Sequence, residues 1–145
     1  MITKLFTAGA IAVVIGFTSA PALAGNTVSI HQWGLGNAAG GAQAGWDNQI
    51  GVHQGGWFNT GVANQLGSHN TSAIGQEGFN NYGETNQIGH GNAAGVGQFG
   101  ANHTGIISQD GNGNIAAGVQ VGNGCNAGVA QAGAGNVAAF VQTCP

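Results

Sequence analysis

Charge is almost absent from this chain of 145 residues, which has one Lys, no Arg, and four carboxylates. Only 3% of its residues are charged, against about 25% in a typical soluble domain. Without Lys and Arg a protein cannot neutralise phosphates, so a basic nucleic-acid binder is excluded. Lys-dependent and Arg-dependent active sites, the phosphate loop with its Lys among them, are excluded on the same ground. Proline is nearly missing too, with none between Gly25 and Thr143. Large aliphatic side chains are sparse while glycine reaches 30 residues. A chain that cannot bury enough apolar surface is usually disordered, but disorder normally comes with high net charge. Here the formal charge is only −3. Something other than a bulky core must give this chain its shape.

The first 24 residues read as a secretory signal peptide. Lys4 is its charged start, Leu5 to Phe17 its apolar run, and Ala22-Leu23-Ala24 a small-x-small exit site. The run is shorter than the roughly 20 residues that span a bilayer. The expected division is therefore residues 1–24 as signal peptide and 25–145 as a single repeat domain. Cleavage after Ala24 would leave Asp47, Glu77, Glu84 and Asp110 and no basic residue. No later stretch is apolar and long enough for a membrane span.

What is present is a period of eleven residues. Of twelve glutamines, all but Gln49 share one phase: Gln32, Gln43, Gln54, Gln65, Gln76, Gln87, Gln98, Gln109, Gln120, Gln131 and Gln142. Two residues after the first ten of these stands a glycine: Gly34, Gly45, Gly56, Gly67, Gly78, Gly89, Gly100, Gly111, Gly122 and Gly133. Five residues after, asparagine recurs: Asn37, Asn48, Asn59, Asn70, Asn81, Asn92, Asn114 and Asn136, with His103 and Cys125 in the two remaining places. A fixed period of this kind marks a repeat architecture.

Gly-x-Gly, Gly-x-Asn and Gly-x-Asp are turn chemistry, because these residues tolerate positive φ. The stretch from each Asn past the next Gln has the length of a strand. Side chains alternate faces along a strand, so the Asn, the two intervening alternate residues and the Gln share one face. Its central position reads Ile30, Val52, Ile74, Val96, Gly118, Phe140 in one set of arms. In the other set it reads Gly41, Ala63, Thr85, Ile107, Val129. Large faces small, as two sheets filling a thin core require. The pattern predicts an all-β, flattened two-sheet β-solenoid with 22 residues per turn and about five and a half turns, of either hand. At about 4.8 Å per turn each Gln and Asn would stack on its equivalent and form amide ladders, as in cross-β structures.

These residues resemble the curlin family, the subunits of curli and related functional amyloids, whose repeat reads Gln-x-Gly-x-Gly-Asn-x-Ala-x-x-x-Gln. Gln32 to Gln43, Gln87 to Gln98, Gln109 to Gln120 and Gln131 to Gln142 match it throughout. The resemblance implies a secreted subunit, with no catalytic role, that polymerises with itself outside the cell and contributes to biofilm matrix and adhesion. The partners it implies are a related nucleator subunit and an outer-membrane export pore. The curli major subunit carries a targeting stretch before its repeats, whereas here the repeats begin within a few residues of Gly25.

A second class, a monomeric solenoid binding a regular surface such as ice or polysaccharide, would show an unbroken Thr column. The residues after the Asn positions include Thr60, Thr71 and Thr104, but also Ala38, Gln49 and Tyr82. His31, His53, His69, His90 and His103 have no metal-site spacing and read as surface histidines, so no metal or cofactor is expected. Asn70-Thr71-Ser72 and Asn102-His103-Thr104 match the glycosylation sequon only as incidental triplets. Leu35, Trp57 and Phe79 should form an exposed stack at one corner, with Trp33 and Trp46 facing outward. Cys125 and Cys144 fall one turn apart at opposite ends of one tight corner, near the upper limit of disulfide reach. A bridge within the chain is expected in an oxidising compartment. A bridge between subunits and two free thiols are the alternatives.

Overall fold

The computed structural model describes residues 25–145, so the signal-peptide assignment to residues 1–24 lies outside the described residues. Eleven strands follow one another: β1 (Thr27–Leu35), β2 (Ala38–Trp46), β3 (Gln49–Trp57), β4 (Thr60–Ser68), β5 (Thr71–Phe79), β6 (Tyr82–His90), β7 (Ala93–Ala101), β8 (Thr104–Asn112), β9 (Ile115–Asn123), β10 (Asn126–Ala134) and β11 (Val137–Cys144). The odd-numbered strands form a six-stranded sheet and the even-numbered ones a five-stranded sheet. All neighbours are parallel, and each residue pairs with the one 22 positions later, as Gln54 does with Gln76. The fold is a two-sheet β-solenoid in which each successive strand crosses to the other sheet.

Local chemistry explains why the chain turns where it does. Between strands lie two residues, and the first has positive φ at every corner. Glycine fills this place at Gly36, Gly91, Gly113, Gly124 and Gly135, and Asp47, Phe58, His69, Asn80 and Asn102 fill the others. Asn, Asp and His enter the left-handed region more readily than other side chains, whereas Phe rarely does. The glycines two residues earlier, placed in the turn by the sequence, lie within the strand ends. Backbone hydrogen bonds carry the ladder around the corners, for example from Asn80 N–H to the Trp57 carbonyl at 2.9 Å.

The interior is thin. One apolar cluster holds Ile50, Val52, Ala63 and Ile74, with Ile30 and Ala39 against it. A second holds Ala94, Val96, Ile107 and Ala116, flanked by Val129. Between them the hydroxyls of Ser72 and Thr85, both buried, hydrogen-bond to one another. Among the described residues buried polar side chains outnumber buried apolar ones by eighteen to nine, so amides and hydroxyls share the interior with hydrocarbon. That is tolerable only because buried polar groups here have hydrogen-bond partners, and no buried side-chain nitrogen or oxygen among the described residues lacks one.

Candidate functional site

The period places the glutamines in two continuous ladders, one per sheet. In the six-stranded sheet Nε2 of Gln32 donates to Oε1 of Gln54 at 2.6 Å, and the chain continues through Gln76, Gln98 and Gln120 to Gln142. In the five-stranded sheet Gln43, Gln65, Gln87, Gln109 and Gln131 are linked the same way at 2.8 to 2.9 Å. From Gln43 to Gln120 each ladder Nε2 has a second task. That of Gln76 also donates to the Thr60 carbonyl at 2.9 Å, which ties β5 to β4. A glutamine thus bonds along the axis with one N–H and across the interior with the other. Gln49 is exposed and its side chain joins neither ladder.

The asparagines work at the corners. Asn81 donates its backbone N–H and its Nδ2 to Oδ1 of Asn59 at 3.1 and 2.9 Å, and Nδ2 also to the Gly100 carbonyl at 3.1 Å. Each Asn of the series up to Asn114 so satisfies a corner backbone group one turn away, and most of the series is buried. The pattern begins one residue set earlier than expected. Oδ1 of Asn26 accepts from Asn48 N–H at 2.9 Å, and its Nδ2 donates to the Gly45 carbonyl. Asn26 was readable as the residue 22 before Asn48, although no ladder Gln precedes it. Two outer ladders also escaped the sequence reading: Asn64 to Asn86, and Asn80 to Asn102 to Asn123. Asn64 to Asn86 and Asn80 to Asn102 keep the spacing of 22 outside the main phase, whereas Asn102 to Asn123 spans 21 residues.

His103 corrects the expectation of five surface histidines. It is 1% exposed and occupies an Asn place. Its backbone N–H donates to Oδ1 of Asn81, and its Nδ1 lies 3.1 Å from the N–H of Cys125. Because that N–H donates, Nδ1 must accept, which leaves the proton on Nε2, facing the Phe99 carbonyl at 3.3 Å. An imidazole can therefore imitate the Asn acceptor. The other four stay on the outside. His31 and His53 pair in register, and His53 and His69 face Glu77 and Asp47 at 3.6 and 3.5 Å. Exposed pairs of this kind add little stability.

Cys125 and Cys144 are bridged, with Cα atoms 5.6 Å apart. This lies well within disulfide reach, and not near its upper limit as the spacing suggests. Cys144 pairs in register with Gly122, as the spacing places it. Trp33, Leu35, Trp46, Trp57 and Phe79 are all about half exposed. Phe58 joins this corner, its ring edge-on to that of Phe79 with centroids 5.9 Å apart. On the five-stranded sheet the Tyr82 hydroxyl donates to Glu84, which raises the Tyr82 pKa, helped by partial burial and by the carboxylate charge. Among the described residues no three His, Cys, Asp or Glu side chains converge as a metal site would need.

Fold and ladders together define a parallel β-solenoid whose recurring residues serve stacking. Residues 78–111 match the family model of the Curlin associated repeat, a structural and not a catalytic family, and this supports the curlin resemblance of the whole repeat pattern. A search of curated proteins finds no match.

Proposed function

We propose that the chain is a secreted subunit that polymerises into an extracellular amyloid fibre of the curli type. The observation that carries this reading is the open end of each ladder. Nε2 of Gln142 donates to the Asn126 carbonyl at 3.2 Å and to no glutamine beyond it among the described residues. At the other end Oε1 of Gln32 and of Gln43 accepts from none among the described residues. One end face thus offers amide donors and the other amide acceptors, beside strand edges that no described residue pairs with and that invite addition of another copy. Head-to-tail addition extends every ladder, and a heterologous contact that does not close generates a filament. Contribution to biofilm matrix and adhesion, a nucleator subunit and an export pore follow from the curlin resemblance.

Fibre diffraction and electron microscopy of the purified chain lacking residues 1–24 test the reading. Fibres with a reflection near 4.7 Å along the axis are expected. A chain that stays monomeric at high concentration for days would sink it and favour a surface-binding monomer.

A further inference from the structure

We infer that successive copies in the fibre are related by a half-turn about the fibre axis, so that β1 of an incoming copy seats on β10 and its β2 on β11. The inference rests on the fibre reading above and concerns how the copies meet.

The first argument is the count of strands. The six-stranded sheet ends on β11 and the five-stranded sheet on β10. Strands alternate between the sheets, so β11 stands half a turn beyond β10 and the end face is a step. The next place along the spiral lies over β10. An incoming copy that puts β1 there continues the spiral, and its first strand joins the column of even-numbered strands. An unrotated copy would put β1 on β11, and its β2 would then leave one strand's place over β10 empty. An empty place breaks the five-stranded sheet and interrupts one Gln ladder, where a buried polar group without a partner is costly.

Side-chain size points the same way, independently of the count. The Phe140 ring fills the space that a side chain at Gly118 would need, so at this level the core is already full. With the half-turn, Gly41 of the incoming copy lies over Phe140 and Ile30 lies over Val129. The ring is then held between two glycines. Without the rotation Ile30 would lie over Phe140, large on large, and the place over Val129 would stand empty. Close-packed interiors tolerate neither overfilling nor voids. Glutamine meets glutamine in both ladders only with the half-turn, so the ladders and the core favour the same arrangement.

The half-turn predicts a repeat along the fibre of about 26 Å per copy, from eleven strands at two per turn and about 4.8 Å per turn. Helical reconstruction of the fibres should give a rotation near 180° per copy, apart from sheet twist. Cross-linking gives a second measurement. His31→Cys with Ala130→Cys places two exposed thiols one rung apart across the junction only with the half-turn. His31→Cys with Val141→Cys does so only without it. In one chain these positions lie at opposite ends of the stack, so any bridge is between copies. Mild oxidation of the grown fibres should give covalent multimers from the first variant and none from the second. The reverse pattern, or fibres whose copies repeat with rotation near zero, would overturn the half-turn and leave the fibre reading standing. Absence of fibres from the unmodified chain would overturn both.

Discussion

Two columns of residues in this solenoid share positive φ, yet they tolerate different side chains. Glycines such as Gly78 fill ten successive places from Gly34 to Gly133, with φ from 99° to 133°, and only Cys144 departs at the last. The column two residues later has φ from 54° to 72° and accepts Asp, Phe, His and Asn besides Gly. The later column lies in the left-handed region, where an L side chain is strained but allowed. The earlier one lies outside it. Space differs as well. A methyl group at Gly78 would overlap the carbonyl oxygen of Gly100, whereas one at Gly91 would meet nothing nearby. Positions pressed between successive turns are fixed by the period itself, and positions facing solvent are free to drift.

One substitution made in both columns would break this comparison most directly. Gly78→Ala should cost about 4 kcal/mol or more, since backbone must move to relieve the overlap. Gly91→Ala should cost only about 1–2 kcal/mol, the ordinary strain of a side chain in the left-handed region. Guanidinium midpoints of the two variants measure the difference. Equal losses would mean that φ alone, and not the neighbouring turn, excludes side chains.

The same contrast holds for the glutamines. Gln76 is fully buried and held on three sides, by Gln54, Gln98 and the Thr60 carbonyl. Gln76→Leu leaves those groups short of a partner and should cost about 1–3 kcal/mol. Gln49→Leu, at an exposed place outside the ladders, should change stability by less than about 0.5 kcal/mol. Fibre growth rates should fall for the first and hold for the second. If growth slows equally in both, the ladder does not organise assembly.

This contrast also explains what the sequence could tell. Stacked positions repeat because each residue must satisfy its equivalent 22 places away, so register, facing and sheet number were legible from Gln and Gly alone. His103 was not. Its phase marked it as an Asn substitute, but only the geometry at Nδ1 shows that an imidazole can accept the same N–H bond. Asn26 was hidden because the Gln that would announce its arm is missing. The Asn64–Asn86 pair was hidden because outer faces need not repeat, so two successive matches carry little weight there. Phe58 was not foreseen either, since no propensity rule puts an aromatic side chain at positive φ.

Phe58 gives the smallest and sharpest test. Its φ of 57° should cost about 1–2 kcal/mol relative to a glycine, and nothing in the repeat demands an aromatic there, because Gly36 and Gly124 occupy the same column without one. Against this strain stand two gains. The ring lies over Gly36, in the place a side chain there would take, and it meets Phe79 edge-on. An aromatic pair of this kind adds about 0.5–1.5 kcal/mol beyond burial, and half of the ring is exposed, which limits the burial gain. Glycine also has more freedom to lose on folding, which removes part of its advantage. The opposing terms are of equal size, so Phe58→Gly should leave stability within about 1 kcal/mol of the starting chain. Phe58→Asn removes the ring but keeps a side chain suited to this φ, so it should fall within the same range. A loss of several kcal/mol in both variants would show that the aromatic corner, and not the open column, sets the constraint at this position.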